Sequence, residues 1–278
     1  MVASDSSATV LEEYPSWLTL VRAANPGLMT LEGTNTWVLR VHGADSSVVI
    51  DPGPLLPEHL TALTAHAPVG SILITHGHPD HVEGAARFAQ MLGGVGVLAA
   101  DPAHSQPGPP LVGDVDLDRF GLTIQALATP GHSSDSVCFL VEAEGQRVVF
   151  TGDTILGRGT TVVAHPDGDL ADYLDSLRRL EDLRGVPVLP GHGPALTDCA
   201  AAARFYLEHR LARLEQVRAA RVAGARKAAE VVAAVYADVD QALWWAAEMS
   251  VRAQLEFLDN EAEPDRESEG PPARLDPP

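Results

Sequence analysis

The stretch Thr75-His76-Gly77-His78-Pro79-Asp80-His81 places three imidazoles and one carboxylate within six positions. Imidazole nitrogen and carboxylate oxygen are the donors that zinc and comparable divalent cations take, so the cluster reads as a metal-ligand set. One histidine in a polar loop is an ordinary surface residue, but four donor side chains this closely spaced are not. Just ahead, Ser71-Ile72-Leu73-Ile74 is apolar and partly β-branched, and Pro79 bars a regular strand or helix interior through the cluster. The donors are therefore expected on a loop at the end of a buried strand, with Val82-Glu83-Gly84-Ala85-Ala86-Arg87-Phe88 following as a helix.

Three further strand-like runs end in the same way. Leu122–Ala128 alternates like a half-buried strand and runs into Thr129-Pro130-Gly131-His132-Ser133. Arg147-Val148-Val149-Phe150 leads to Thr151-Gly152-Asp153, and Val186-Pro187-Val188-Leu189 to Pro190-Gly191-His192-Gly193-Pro194. Strands are also expected at Trp17–Ala23, Thr36–Val41, Val48–Ile50, Val95–Ala100 and Val137–Val141, and helices at Pro57–His66 and Asp169–Leu183. Alternating strands and helices argue for a layered α/β protein, and four donor-bearing exits are what such a sheet provides when it builds a site at one edge. His42, His59, His66, His104, His165 and His209 fit no such pattern, and most read as ordinary surface residues; Cys138 reads as core packing.

The chain has 278 residues, 45% of them hydrophobic, and a formal net charge of -19. That is enough for a large core, and the acidic surface disfavours polyanions and anionic membranes unless a local basic patch intervenes. Cys138 and Cys199 are too few for a disulfide framework. No basic leader precedes an apolar run, and no stretch reaches the roughly 20 apolar residues of a membrane helix, so a cytoplasmic location without membrane contact is expected.

The pattern H-x-H-x-D-H at His76–His81, with His132, Asp153 and His192 at the later strand exits, resembles the metallo-β-lactamase superfamily over about Leu18–Pro194. The resemblance implies a four-layer αββα sandwich. In it His76, His78 and His132 would hold one metal ion, Asp80, His81 and His192 a second, and Asp153 would bridge them. It also implies two zinc ions, with iron or manganese left open, and a bridging hydroxide that attacks a carbonyl or phosphoryl centre, Asp80 orienting it or accepting its proton. Asp51, at the end of Val48–Ile50, is either a plain turn initiator or a carboxylate buttressing the ligand loop from behind. Diiron relatives carry Glu where His78 stands, whereas mononuclear iron dioxygenases share the pattern, which keeps oxygen chemistry as a lower alternative. A true β-lactamase is disfavoured by Asp153, and a purely structural metal by the excess of donors.

From Ala201 the composition shifts to alanine, arginine and leucine, with helical stripes at Leu207, Leu211, Leu214, Val217 and at Leu243, Ala247, Val251, Leu255, Leu258. Together with Gly33-Thr34-Asn35-Thr36, this resembles the lactamase-like branch with a C-terminal winged-helix module, which includes thioesterases and single-strand endoribonucleases. The expected domains are a flexible N-terminus (1–13), a catalytic domain (14–198), a helical or winged-helix-like module (199–258) and a disordered acidic, proline-rich tail (259–278). Arg204, Arg210, Arg213, Arg218, Arg221, Arg226 and Lys227 are either a solvated helix face or a patch for RNA. Hydrolysis of an ester or thioester is thus the leading expectation and cleavage of single-stranded RNA the alternative, with no obligate protein partner readable. Asn35, Arg158, Thr160 and Tyr173, polar groups near the strand exits, are the candidate substrate contacts.

Overall fold

The computed structural model describes residues 9–106 and 110–268, the side chains of 262–268 excepted. The first half builds a five-stranded sheet in the order β1 (Leu18–Arg22), β2 (Asn35–Leu39), β3 (Ser47–Ile50), β4 (Val69–Leu73) and β5 (Val97–Leu98). A second sheet runs β10 (Val188–Pro190), β9 (Gln146–Gly152), β8 (Val137–Ala143), β7 (Leu122–Ala128) and β6 (Val115–Arg119). The β3–β4 and β4–β5 pairs are parallel, as is β9–β10; the other pairs are antiparallel. Strand β6 was not anticipated, because Val115-Asp116-Leu117-Asp118-Arg119 alternates with charge on an outward face.

Strand β8 shows how the layers are written into the chain. Val137, Phe139 and Val141 point between the sheets, toward Trp37, Ile50 and Phe150. Cys138 and Leu140 point the other way, into a second core with Tyr173, Leu174 and Leu177 of α4 (Leu170–Leu180). Both faces of the strand are buried, so the sequence reads as a continuous apolar run instead of an alternation. A third core sits outside the first sheet, where Val38, Val49 and Ile72 meet Leu60 and Leu63 of α1 (Pro57–Thr64). Phe88 of α3 (Ala85–Met91), preceded by the one-turn helix α2 (Pro79–Val82), joins the same core. Three cores separate four layers, α, β, β, α. Each fully buried phenylalanine contributes on the order of 1.5–3 kcal/mol to holding two layers together.

Helices α5 (Cys199–Val222), α6 (Ala228–Val235) and α7 (Trp244–Ser268) form the C-terminal module, which carries no strand among the described residues. Tyr206, Leu214, Val217, Val231, Val232 and Val251 merge with the core outside the second sheet, so the module packs on the sandwich as part of one hydrophobic unit. Two boundaries differ from the sequence expectation. Thr9 and Leu11 are tied to Thr197 and Ala195 by backbone hydrogen bonds of 2.9 Å, so the flexible N-terminus does not extend to residue 13; residues 1–8 lie outside the described residues. The expected disorder from Asp259 is also corrected, since α7 continues through Ser268 and is tied to α5 at Asp259 by Arg221 and at Glu261 by Arg218; residues 269–278 lie outside the described residues. No helix among the described residues is long and apolar enough to cross a membrane.

Candidate metal centre

The parallel pairs β3–β4 and β9–β10 send their C-terminal ends to one edge, and the donors sit on the segments that leave it. His76 and His78 follow β4, His132 follows β7, Asp153 follows β9 and His192 follows β10. Asp80 and His81 are not on a loop: they occupy the single turn of α2, because Pro79 stands at its first position, where a missing N–H costs nothing. Gly131, at φ 132°, permits the approach of the His132 turn to α4, since a Cβ there would lie 2.3 Å from Tyr173 Cα.

His76 Nε2 and His132 Nε2 each lie 3.0 Å from His78 Nδ1. His81 Nε2 and His192 Nε2 lie 3.2 Å apart, and Asp80 Oδ2 is 3.1 Å from the latter. Asp153 faces both groups, with Oδ1 3.4 Å from His81 Nε2 and 3.5 Å from His192 Nε2, and Oδ2 3.9 Å from His132 Nε2. His76, His81, His132 and His192 are almost wholly buried, while Asp80 keeps 28% of its side chain exposed.

The far side of each ring states which nitrogen carries the proton. His81 Nδ1 lies 2.8 Å from Asp51 Oδ2, His132 Nδ1 2.6 Å from the Val162 carbonyl and His192 Nδ1 3.3 Å from the Gly33 carbonyl, all acceptors. His76 Nδ1 is 3.0 Å from Thr75 Oγ1, whose own proton goes to Asp51 Oδ2 at 2.6 Å, so there too the ring must donate. Four Nε2 atoms therefore turn inward beside His78 Nδ1. Lone pairs 3.0–3.2 Å apart repel unless a cation or a proton lies between them, and buried Asp153 Oδ1 has no hydrogen-bond partner. Three donor groups, His76/His78/His132, His76/His81/Asp153 and Asp80/His81/His192, each have ligand atoms within 4.8 Å of one another. The arrangement can hold a dinuclear metal site.

Electrostatics divides the rings. Burial, reinforced by the neighbouring imidazoles, pushes His76 well down and His132 down to about 4. Burial would do the same to His81, but the Asp153 and Asp51 carboxylates overcome it and hold the ring well above its ordinary value. Burial likewise opposes the charged form of Asp153, yet His192 and His81 keep its carboxyl well below the usual range.

Of the candidate substrate contacts, two are turned inward. Asn35 is fully buried and donates Nδ2 to the carbonyls of Pro190 (3.0 Å) and Gly193 (2.9 Å), pinning the His192 turn. Tyr173 is fully buried under α5 with its hydroxyl donating to Thr154 O at 2.7 Å. Arg158 is exposed and paired with Glu32, tying two loops at the rim. Thr160 is half-buried, and it is its neighbour Thr161 whose Oγ1 comes within 3.3 Å of His132 Nδ1. Two histidines read as surface residues prove otherwise. His59 is buried, its Nε2 2.9 Å from Thr36 Oγ1, which in turn donates to Asp51 O. His104 lines a cavity of about 390 Å³ that opens beside His78, with Asp101, Ser133, Ser134, Asp135 and Asp167 in its wall.

The arginines of α5 are largely engaged. Arg204 pairs with Glu181, Arg218 with Glu215 and Glu261, and Arg221 with Asp259. Arg213 donates to Val235 O and covers the Tyr236 ring, and Arg210 is buried; Arg226 and Lys227 are exposed.

Fold and donor set define a class of metal-dependent hydrolase, and comparison with known proteins agrees. A family described as "Metallo-beta-lactamase superfamily" matches residues 29–192, and "Beta-lactamase associated winged helix domain" matches residues 228–263. The "Beta-lactamase-like protein 2 homolog" of Caenorhabditis elegans is 31% identical over 271 residues, covering 89% of this chain and 86% of the relative. The "Atrochrysone carboxyl ACP thioesterase" of Aspergillus fumigatus is 34% identical over 206 residues, covering 71% of this chain; the chain spans 62% of that relative's length. A metallo-beta-lactamase family protein from Thermus thermophilus shares the fold, with a TM-score of 0.73 at 23% identity over 88% of this chain and 94% of its own. The chain belongs to the metallo-β-lactamase superfamily.

Proposed function

We propose that the centre holds two zinc ions and that the protein hydrolyses an ester or thioester. His76, His78 and His132 would hold one ion, Asp80, His81 and His192 the other, with Asp153 shared; imidazole-rich sites of this kind favour zinc. When bound, such a pair supplies Lewis acidity and a water whose pKa is lowered to ~7. The chain's own groups do the rest. Thr75, Asp51, Val162 O and Gly33 O take the Nδ1 protons of His76, His81, His132 and His192, so Nε2 is the nitrogen each ring would offer to a metal ion. Asp80, the more open of the two carboxylates, is placed to orient the attacking water and take its proton.

The observation that carries the acyl reading over the RNA reading is the charge of the cavity beside His78. Its wall includes Asp101, Asp135 and Asp167 and neither lysine nor arginine, a lining that repels a phosphodiester strand. An adjoining, more apolar cavity of about 500 Å³ shares His104 and is walled by Val82, Ala85, Ala89, Val95 and Val97, room for an aliphatic or aryl acyl group. The pairing of Arg204, Arg218 and Arg221 points the same way, because those three charges are already neutralised by carboxylate neighbours. The thioesterase named among the relatives adds support.

The test joins metal content to turnover. Purified protein is analysed for metals, then assayed against a short acyl thioester and a labelled single-stranded RNA at two salt concentrations. About two zinc per chain with thioester turnover, lost in Asp153→Ala, is the expected result. Salt-sensitive RNA cleavage without thioester turnover overturns the substrate class, and a single iron with neither activity overturns the reading altogether.

A further inference from the structure

The segment Leu156–Val163 follows the Asp153 turn and ends against the ring of His132, and the C-terminal helices grip it from outside. Tyr206 Oη on α5 accepts the Leu156 N–H at 3.0 Å. One turn further along α5, Arg210 is 3% exposed, donates Nη2 to the Thr161 carbonyl and stacks its guanidinium 5.4 Å from the Tyr173 ring centroid. From α7, Ser250 Oγ accepts the Val163 N–H at 3.2 Å. Between those two grips lies Val162, whose carbonyl takes the Nδ1 proton of His132 at 2.6 Å.

We propose that the C-terminal module positions the metal centre: Arg210 and Ser250 hold the Thr161–Val163 backbone so that Val162 O fixes the tautomer and aim of His132. The inference rests on reading the centre as a metal site. Two observations favour it over a merely structural role. Burying a guanidinium is costly, more so here because Arg210 Nε has no hydrogen-bond partner, and an apolar side chain would fill the space more cheaply. What only a long donor supplies at this position is reach to the Thr161 carbonyl. Second, His76, His81 and His192 take their orienting bonds from Thr75, Asp51 and Gly33, within the sandwich itself. Among the histidines whose Nε2 faces the centre, His132 depends on a loop that the module secures.

The consequence is asymmetric. Loosening the module should weaken the ion held by His76, His78 and His132 while sparing the one held by Asp80, His81 and His192. The experiment uses the full chain, titrated with zinc and with cobalt, whose absorption resolves the two sites, and follows the His132 Nδ1–H signal by NMR in metal-free protein. Arg210→Met keeps a flexible unbranched side chain, though a shorter one, and removes the donor; Arg210→Lys restores a donor; Ser250→Ala removes one bond with little change in volume and serves if Arg210→Met does not fold. Expected are a tenfold to hundredfold weaker first ion, the second within about twofold of wild type, faster exchange of the His132 proton, and partial rescue by lysine. Equal weakening of both ions, or wild-type affinities and proton exchange in Arg210→Met and Ser250→Ala, overturns the proposal. If wild-type protein binds no metal, the reading of the centre fails instead, and unchanged proton exchange in the variants would separately defeat the positioning role.

Discussion

His81 Nδ1 and Asp51 Oδ2 lie 2.8 Å apart, both out of solvent, and that contact decides which nitrogen His81 offers to the centre. Asp51 reaches the position from φ 51°, a left-handed conformation that Asp tolerates better than most residues. Its other oxygen accepts the Thr75 N–H at 2.8 Å, so one carboxylate braces both the ligand loop and a ligand. Asp51→Asn keeps the shape but puts an amide donor or a weaker acceptor against the ring. Zinc titration should show affinity at the Asp80/His81/His192 set reduced about 10–100-fold, with the circular dichroism spectrum unchanged.

A single methyl group at residue 191 tests how tightly the centre is packed. A Cβ there would lie 2.5 Å from His81 Cε1 and 2.7 Å from Asp153 Oδ1, nearer than atoms can come without moving. Gly191→Ala should therefore displace two donors at once. We expect elemental analysis to fall from about two metal ions per chain to one or fewer, and thermal unfolding to report a cost of about 1–3 kcal/mol from overpacking. Retention of both ions would mean that the His192 turn shifts freely, against the pinning by Asn35.

The donor set was legible because each donor follows an apolar strand through a short turn rich in glycine or proline, a local pattern that needs no knowledge of distant contacts. What escaped the sequence is what depends on such contacts. Pro79 reads equally as a breaker or as the first residue of a helix, and only the turn that follows decides between them. Asn35 and Tyr173 looked like reachable polar groups, yet their hydrogen-bond partners are carbonyls 155 and 19 residues away. The arginine stripe of α5 carried two meanings until its carboxylate partners, Glu181 just past α4 and Asp259 and Glu261 on α7, were in place, and the pairs to Asp259 and Glu261 tie α7 to α5 where composition suggested disorder.

His209 offers a pH dependence separate from the metal donors. Burial lowers its pKa, and the neighbouring Arg210 and Arg213 charges add to this, bringing it to about 4. Between the ordinary value near 6.5 and about 4, the unfolded chain takes up a proton that the folded ring refuses, so stability is undiminished above pH 6.5 and falls as pH drops through that window. His209→Gln should flatten this part of the curve. The difference between wild type and variant, from thermal melts at about pH 7 and about pH 4.5, should reach about 1–2 kcal/mol once screening of the half-exposed ring is allowed for.

Tyr173 separates a buried prop from a substrate contact. Its ring lies beneath the Arg210 guanidinium, its backbone lies against Gly131, and its hydroxyl closes on Thr154 O at 2.7 Å. Tyr173→Phe removes that one hydrogen bond and leaves a carbonyl to find another donor. The expected cost is about 1–2 kcal/mol of stability, read by denaturant unfolding. Because the hydroxyl never faces the cavity beside His78, KM for an acyl thioester should stay within about twofold of wild type, the small margin reflecting only a slight shift of the Asp153 turn. A KM raised tenfold with stability intact would place the hydroxyl on the substrate and return Tyr173 to the role that its position in the sequence first suggested.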